Sequence, residues 1–344
     1  MKKIPIMFQL FLILFSILVI PTIILTYYTT SKMVKYSQEE IANSAISELE
    51  ANRDMSENIM YGIVQDVLRM VVTNDFNIVK DIPSFEVMNK NITNIKKARE
   101  LREQLNSMLY NDGIIHSIYF YLDDSDYVIS TDKGITKLSD YESIDWMKEA
   151  IKGKASGVGF WCPRELSLSS VNEVESRKNN AISLNVISYV YRLSTLTTST
   201  KGTVVVNVRE DGLNEFMDQE NDNEASESYL IEKSGRIIGA KEKELFLTDG
   251  SSNPIIAYVL KSNSPSGYGY YEDANGKMLY TYVTMDTEGW IYLKMTSLDF
   301  LMGKTNQLRM NVIFVTVIII LCGTISTVLL ATRISKPMRD LVAR

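Results

Sequence analysis

The chain has 344 residues, enough for one large or two ordinary domains, and a formal net charge of −6 at pH 7. Its single histidine and two cysteines exclude zinc sites of the usual spacing and a framework of disulfides. The acidic balance argues against binding to nucleic acid, because neutralising phosphates requires a basic surface.

Two long apolar runs lie near the ends of the chain. No charged residue occurs between Ile4 and Ser31 or between Met310 and Thr332. Each run exceeds the roughly 20 apolar residues that cross a hydrocarbon core. The first is longer than the apolar core of a signal peptide, and no small-residue cleavage site follows it. We therefore expect two transmembrane helices, at 6–28 and 310–332.

Basic residues at the membrane ends set the expected orientation. Lys2 and Lys3 precede the first run, and the second is followed by Arg333, Lys336, Arg339 and Arg344. Basic residues beside a spanning helix favour the cytoplasm. The sequence therefore predicts a cell-membrane protein with cytoplasmic termini at 1–5 and 333–344. The loop over 29–308 is expected to be extracellular; it holds 29 of the 36 basic and 41 of the 42 acidic residues, a net charge near −12.

The loop opens with a segment of helical periodicity over 29–74. Apolar residues recur there at spacings of three or four, namely Ile41, Ala45, Leu49, Ile59, Ile63, Val67 and Met70. This period predicts one helix of roughly ten turns that continues out of the first span. A second helix is predicted at about 89–109.

Short strand-like segments then form two groups. The first, within 75–222, contains "IIHSIYFYL", "DYVISTD", "GVGFWCP", "AISLNVISYVYRL" and "GTVVVNV", with the short helix "SIDWMKEAIKG" among them. The second, within 223–300, contains "SYLIEK", "GRIIGA", "SGYGYYED", "KMLYTYVTM" and "GWIYLKMT". Runs rich in β-branched and aromatic residues between turn formers are typical of strands. The sequence predicts an α+β fold with two lobes, each an antiparallel sheet with helices on one side.

No catalytic or metal-binding constellation is found in the sequence. His116 lies in the strand-like "IIHSIYFYL", which favours a sheet-face histidine over a general base. The aspartates of "DDSDYVISTDKG" lack the spacing of a calcium loop, and no glycine-rich phosphate loop occurs. We therefore expect no enzyme, no cofactor and no metal; an extracellular hydrolase would need a base that the sequence does not offer.

Aromatic and charged residues converge instead on the first lobe. Small-molecule pockets combine aromatic walls with a few directed polar groups, and arginine holds carboxylate or phosphate with forked donors. The candidate ligand-binding residues are Tyr141, Asp145, Trp146, Trp161, Arg164, Tyr189, Tyr191 and Arg192. The alternative for each is that the aromatics are core and the arginines form surface ion pairs.

The order of span, long loop, span and then "RISKPMRDL" resembles bacterial transmembrane receptors. In that family a proline after the second span opens a HAMP signalling helix, a position that Pro337 matches, with Met338 and Leu341 as its first apolar residues. The loop resembles a double Cache sensor, which has a long helix and two PAS-like lobes. Trp146 in a helix between strands and "KGTVVVNV" agree with that pattern. The resemblance implies a membrane-distal lobe at 75–222, a membrane-proximal lobe at 223–300 and a homodimer formed through the long helix and the spans.

The resemblance also implies an extracellular small ligand in the distal lobe. Members that bind amino acids carry an arginine two residues before this tryptophan and a tyrosine directly after it. Here those positions hold Ile144 and Met147, so the amino-acid pocket is not supported. A sugar, an organic acid, a peptide or a partner lipoprotein stays open.

The output is expected to lie beyond residue 344. The family implies a Gram-positive sensor histidine kinase of a two-component system, with a membrane-anchored AraC-type regulator or a chemoreceptor as alternatives. A kinase needs a cytoplasmic phospho-accepting histidine, whereas His116 is expected outside the cell. An alternative of another class is a doubly anchored extracellular binding module without signalling.

Overall fold

The computed structural model of the chain describes residues 6–109, 113–141, 145–152, 155, 157–168, 182–193, 200–213, 226–273 and 276–342. The helices are α1 (Ile6–Val72), α2 (Phe85–Lys90), α3 (Ile92–Leu109), α4 (Asp145–Ile151), α5 (Pro254–Leu260), α6 (Leu298–Leu301) and α7 (Gly303–Val342). The strands are β1 (Ile115–Leu122), β2 (Tyr127–Ser130), β3 (Gly134–Lys137), β4 (Gly159–Leu168), β5 (Ile182–Arg192), β6 (Gly202–Arg209), β7 (Ser226–Ile231), β8 (Ile237–Ala240), β9 (Ser266–Asp273), β10 (Gly276–Thr284) and β11 (Ile291–Ser297).

Two sheets follow one another along the chain. The first has the strand order β3-β2-β1-β6-β5-β4, and each neighbouring pair is antiparallel. The second has the order β8-β7-β11-β10-β9, with β7 and β8 antiparallel. The predicted α+β class with two antiparallel sheets is thereby confirmed. The predicted boundary at 222/223 lies outside the described residues.

Both faces of the first sheet are covered. On one face Ile118 and Phe120 of β1 join a core with Val67 of α1 and Leu101 of α3. On the other face Tyr119 packs in a separate cluster with residues of α4. Successive strand residues point to opposite faces, so the alternation along β1 separates the two cores. The prediction that helices lie on one side only was therefore wrong.

Helix α1 runs without interruption for 67 residues, which confirms the prediction of a helix that continues beyond the first apolar run. The second predicted helix, at about 89–109, is present as α3 from Ile92, with the short α2 before it. All ten strand-like segments contain a strand. Among the described elements, strand β3 and helices α5 and α6 were not predicted, and α2 was not predicted as a separate helix.

The backbone divides into two compact units. One comprises Met1–Ala45, Tyr270–Leu279 and Thr296–Arg344; the other comprises Ile46–Gly269 and Tyr280–Met295. The unit that comprises Ile46–Gly269 and Tyr280–Met295 contains the whole of the first sheet and much of the second sheet. Within this unit, the turn after β10 contacts both α1 and β4. There the Glu57 carboxylate of α1 accepts hydrogen bonds from the backbone N–H groups of Asp286 (2.5 Å) and Thr287 (3.1 Å), and Glu288 Oε1 accepts from the N–H of Trp161 in β4 (3.2 Å).

In the first unit, α1 and α7 pair in antiparallel fashion. Thr26 Oγ1 lies 3.1 Å from Thr316 Oγ1, and Ser37 Oγ lies 2.6 Å from Thr305 Oγ1. At Gly323 the helices approach closely, because an added Cβ would lie 2.6 Å from Leu18 Cδ2.

Both helices are long and apolar enough to cross a membrane. Their apolar side chains are largely uncovered by protein, as shown by Ile17 at 66% exposure and Leu329 at 64%. An apolar surface of this extent needs an apolar environment to cover it, so α1 and α7 are candidate membrane spans.

Candidate functional site

The α4 face of the first sheet carries the candidate site. Helix α4 crosses this face and buries Met147 against Tyr119, Phe160, Val190 and Val205. Trp146 is partly buried at the edge of the same cluster. The short helix thus supplies an aromatic cover over strands β1, β4, β5 and β6.

Beneath Trp146 lies a buried arginine on β4. The Arg164 guanidinium carbon is 4.0 Å from the centroid of the Trp146 ring, and Arg164 is only 8% exposed. A guanidinium stacked on an indole is favoured electrostatically and contributes about 0.5–2 kcal/mol, more when it is desolvated. The stacking joins α4 to the sheet.

A chain of hydrogen bonds continues from Arg164 across the sheet. Arg164 Nε donates to Ser188 Oγ (2.9 Å), and Arg164 Nη2 donates to Asn207 Oδ1 (3.1 Å). Ser188 Oγ also donates to Asn207 Oδ1 (2.8 Å), and Asn207 Nδ2 donates to Ser117 Oγ (2.9 Å). Ser188 and Asn207 are fully buried and Ser117 is 1% exposed. Buried polar groups are costly unless paired, so this network fixes the guanidinium in place.

One donor at this site has no partner among the residues that the structure describes. Trp146 Nε1 is buried and makes no hydrogen bond to any of them. Most buried donors in folded proteins are paired, so an unpaired indole N–H beside an arginine is a donor that a ligand acceptor could satisfy.

Tyr141 lies at the margin of the same face. Its ring packs edge-on against Tyr119, with centroids 5.3 Å apart, and its hydroxyl donates to Asp132 Oδ1 (3.2 Å). The Lys133 ammonium is 5.1 Å from the Tyr141 ring centroid. Tyr141, Trp146 and Arg164 are therefore brought to one face, as the candidate set requires.

Asp145 and Arg192 have more exposed surroundings. The Asp145 carboxylate is 84% exposed and lies 3.8 Å from the Lys148 ammonium. Arg192, 42% exposed, lies 3.7 Å from Asp123 Oδ2. Burial raises the pKa of Asp123, while the nearby Arg192 acts in the opposite direction. Both candidates thus form surface ion pairs, the alternative considered for charged members of the set.

Trp161, Tyr189 and Tyr191 lie in the core that faces α1 and α3. The Trp161 and Tyr189 rings pack with centroids 5.0 Å apart, and burial raises the pKa of Tyr189 to about 12. These three residues lie on the face opposite Trp146 and Arg164. The structure does not bring them together with the α4 face.

Ser117, Ser188 and Asn207 were missed by sequence reasoning. A signal was available for Ser188 and Asn207, because a polar residue interrupts the apolar run in "NVISYV" and in "TVVVNV". Polar side chains inside a buried strand need partners; here Arg164 donates to Ser188 and Asn207, and Asn207 donates to Ser117. No group of three or more histidine, cysteine or acidic side chains that could hold a metal ion occurs in the described part of the chain.

Comparison with known proteins places this architecture among bacterial chemoreceptor sensor domains. No family model matches the chain, and no curated protein matches it. The periplasmic sensory domain of the Campylobacter jejuni chemoreceptor Tlp1 is similar with a TM-score of 0.55 at 10% identity, over 78% of this chain and 98% of that one.

Two further solved structures have the same fold. The sensory domain of the C. jejuni chemoreceptor Tlp3 (CcmL) gives a TM-score of 0.52 at 15% identity, over 80% of this chain and 98% of that one. The ligand-binding domain of the Pseudomonas aeruginosa PAO1 amino acid chemoreceptor PctB, in complex with L-Arg, gives 0.51 at 11% identity, over 76% and 97%. The region between the candidate spans therefore has the fold of a chemoreceptor sensor domain.

Proposed function

We propose that the chain is the sensor portion of a transmembrane signalling receptor that binds a small extracellular ligand on the α4 face of the first sheet. The observation that carries the proposal is Trp146, with its unpaired buried N–H, stacked on an arginine that is fixed by buried hydrogen bonds. The fold shared with Tlp1 and PctB supports the same role.

We propose that the ligand is not held by the residues beside the tryptophan that hold amino acids in the double Cache family. Met147, the position after the tryptophan, is 1% exposed and packs beneath α4, so it offers no group to a ligand. Ile144, two residues before Trp146, lies outside the described residues. The ligand-binding domain of PctB is in complex with L-Arg, which makes amino acids a necessary comparison. Organic acids, sugars and short peptides complete the candidate classes.

A thermal-shift screen of the full chain in detergent micelles tests this proposal. A ligand at a hundred times its dissociation constant stabilises the folded state by about 2.7 kcal/mol. Trp146→Ala should abolish the shift produced by any hit. Tyr268→Ala, a change at an exposed tyrosine of β9, is the matched control and should keep it. No shift from any of the four classes, or an unchanged shift in Trp146→Ala, would reject the α4 face as the ligand site.

We infer that two copies associate along α1. Apolar and aromatic side chains on this helix outside the candidate span remain exposed, including Met55 (45%), Tyr61 (64%) and Val72 (78%). An open groove on the same helix is lined by Ala51, Asp54, Met55, Asn58, Ile59 and Gly62. A second copy of the same helix would cover this surface. Multi-angle light scattering of the full chain should give a dimer mass, which Tyr61→Glu should reduce to that of a monomer.

The proposed orientation places both termini in the cytoplasm, with α7 carrying the signal inward. Helix α7 continues through Pro337 to Val342, past the candidate span. A HAMP domain and a histidine kinase are the proposed continuation, with a chemoreceptor module and an AraC-type regulator as alternatives. The reading frame beyond codon 344 distinguishes them. Reporter fusions that are active only in the cytoplasm should be active at both ends.

A further inference from the structure

Four exposed basic residues lie near the points where α1 and α7 emerge from their apolar runs. These residues, which we call the basic collar, are Lys32, Lys35, Lys304 and Arg309. All four are exposed. Of these, only Lys35 forms an ion pair among the described residues, at 3.8 Å from Glu39.

The two helices hold Lys32 and Arg309 of the collar at one level. The bonds from Thr26 to Thr316 and from Ser37 to Thr305 share one antiparallel register, which sets residue 32 opposite residue 310. Lys32 and Arg309 therefore lie within about one helical rise of 1.5 Å along the axis. Lys304 lies between one and two turns further from the apolar run.

Acidic residues are displaced from the level of Lys32 and Arg309, although Glu39 lies opposite residue 303 and so level with Lys304. On α1 the first acidic residue after the apolar run is Glu39, and no acidic residue occurs in 303–309 of α7. The expected extracellular loop over 29–308 has a net charge near −12, yet on the side of the loop Lys32 and Arg309 are the charged residues nearest to the two apolar runs. The charge beside the apolar runs is therefore opposite in sign to the net charge of the loop.

Aromatic side chains mark the level as a membrane interface. Tyr27 and Tyr28 are 75% and 60% exposed in the turn before Lys32, and Tyr36 is 64% exposed one turn beyond it. The Lys32 ammonium lies 5.9 Å from the Tyr28 ring centroid and 6.0 Å from that of Tyr36. Exposed tyrosines next to lysine are typical of the headgroup region, where the ring lies in the interface and the ammonium reaches the phosphates.

We propose that the basic collar binds the headgroups of anionic phospholipids in the leaflet on the sensor's side of the membrane. Lys32 and Arg309 would contact phosphate directly, and Lys35 and Lys304 would add to the local positive potential. Clustered cations beside a span attract anionic lipid, and the attraction falls off within a Debye length. The collar would hold the acidic sensor domain at a surface that otherwise repels it. The proposal rests on the insertion of α1 and α7 into the membrane and is independent of the ligand.

The test uses the full chain in nanodiscs that contain equal parts of phosphatidylcholine and phosphatidylglycerol. After gentle extraction, native mass spectrometry counts the phospholipids retained per protein. Phosphatidylglycerol should be retained in preference to phosphatidylcholine, and the preference should weaken about fivefold for each cation removed, so about twenty-five-fold in Lys32→Gln/Arg309→Gln. Lys32→Arg/Arg309→Lys should keep it.

Lys96→Gln/Arg99→Gln removes the same charge from exposed positions of α3 and is the matched control, which should behave as wild type. If wild type retains both lipids equally, or if Lys32→Gln/Arg309→Gln retains them as wild type does, lipid binding by the basic collar is rejected. The proposed ligand site is not affected by that result. Displacement of the lipid by soluble glycerol phosphate would reassign the residues to a small-anion site and overturn the lipid assignment. A chain that does not enter nanodiscs overturns the proposed membrane insertion together with the collar.

Discussion

The guanidinium of Arg164 and the ring of Trp146 stack at 4.0 Å, which fixes helix α4 over strand β4. Arg164 is bound in turn by Ser188 and Asn207 of β5 and β6. A ligand that contacts the indole therefore acts on a group coupled to three strands of the sheet. The coupling gives a ligand a physical means of favouring one position of α4, provided that it binds that position more tightly.

Removing the Arg164 side chain should destabilise the fold. Arg164→Ala leaves the buried Asn207 Oδ1 with fewer donors and removes the stacking on Trp146, so the free energy of unfolding should fall by about 2–3 kcal/mol. Urea unfolding of the full chain in micelles measures the change. Arg192→Ala, at the partly exposed pair with Asp123, is the control and should cost less than about 1 kcal/mol. Equal losses in the two variants would contradict a structural role for the buried network.

The single histidine gives the stability of the fold a defined pH dependence. Burial lowers the pKa of His116, with Arg209 lowering it further and Asp132 opposing. The unfolded chain therefore takes up this proton at higher pH than the folded chain, and stability is lost as the pH falls through 6.5 toward the lower folded-state pKa. His116→Gln should remove this contribution. Urea unfolding of both proteins at about pH 5.5 and pH 7.5 measures the difference; parallel pH dependences would show that His116 titrates alike in both states.

Glu57 should stabilise the turn that precedes β11. Its carboxylate accepts the backbone N–H groups of Asp286 and Thr287, so Glu57→Ala leaves two donors without this partner. A loss of about 1–3 kcal/mol is expected. Glu57→Gln keeps an acceptor oxygen of the same reach and should lose less. Hydrogen exchange at residues 286 and 287 localises the effect: faster exchange in Glu57→Ala than in Glu57→Gln is expected, and no difference would exclude the contact.

The strands could be predicted because their residues carry a strong local signal. "TVVVNV" and "ISYVYR" consist of β-branched and aromatic residues, and both form strands of the first sheet. Strand β3 was missed because a four-residue segment in which only Ile135 is apolar carries little signal. Helix α5 was missed although Asn253, whose side chain caps the helix, and Pro254 in its first turn mark a helix start. Its "IIAYV" resembles a strand by composition.

Three of the eight candidate residues, Trp161, Tyr189 and Tyr191, could not be assigned to a face of the sheet from sequence, for a geometric reason. Alternation shows that Tyr189 and Tyr191 share a face of β5 and that Ser188 lies on the other, but it does not show which face receives α4. That choice depends on long-range packing of α1 and α3. Arg164 and Trp146 could be singled out from the sequence because an arginine within a strand and a tryptophan on a short helix are unusual wherever they pack; their role in binding stays a prediction.

The pairing of α1 with α7 should be open to capture by a disulfide. Because the Thr26 and Thr316 hydroxyl oxygens lie 3.1 Å apart, the cysteines of Thr26→Cys/Thr316→Cys should join within one chain in a background with Cys162 and Cys322 replaced by serine. Tyr27→Cys/Thr316→Cys, one position around the helix, is the control and should cross-link poorly.

Adding Gly323→Val to Thr26→Cys/Thr316→Cys should lower the yield of the disulfide, because a Cβ there meets Leu18. Gly303→Ala, where a Cβ meets nothing within 4 Å, should leave the yield unchanged. Equal cross-linking by both cysteine pairs would rule out the register that holds Lys32 beside Arg309.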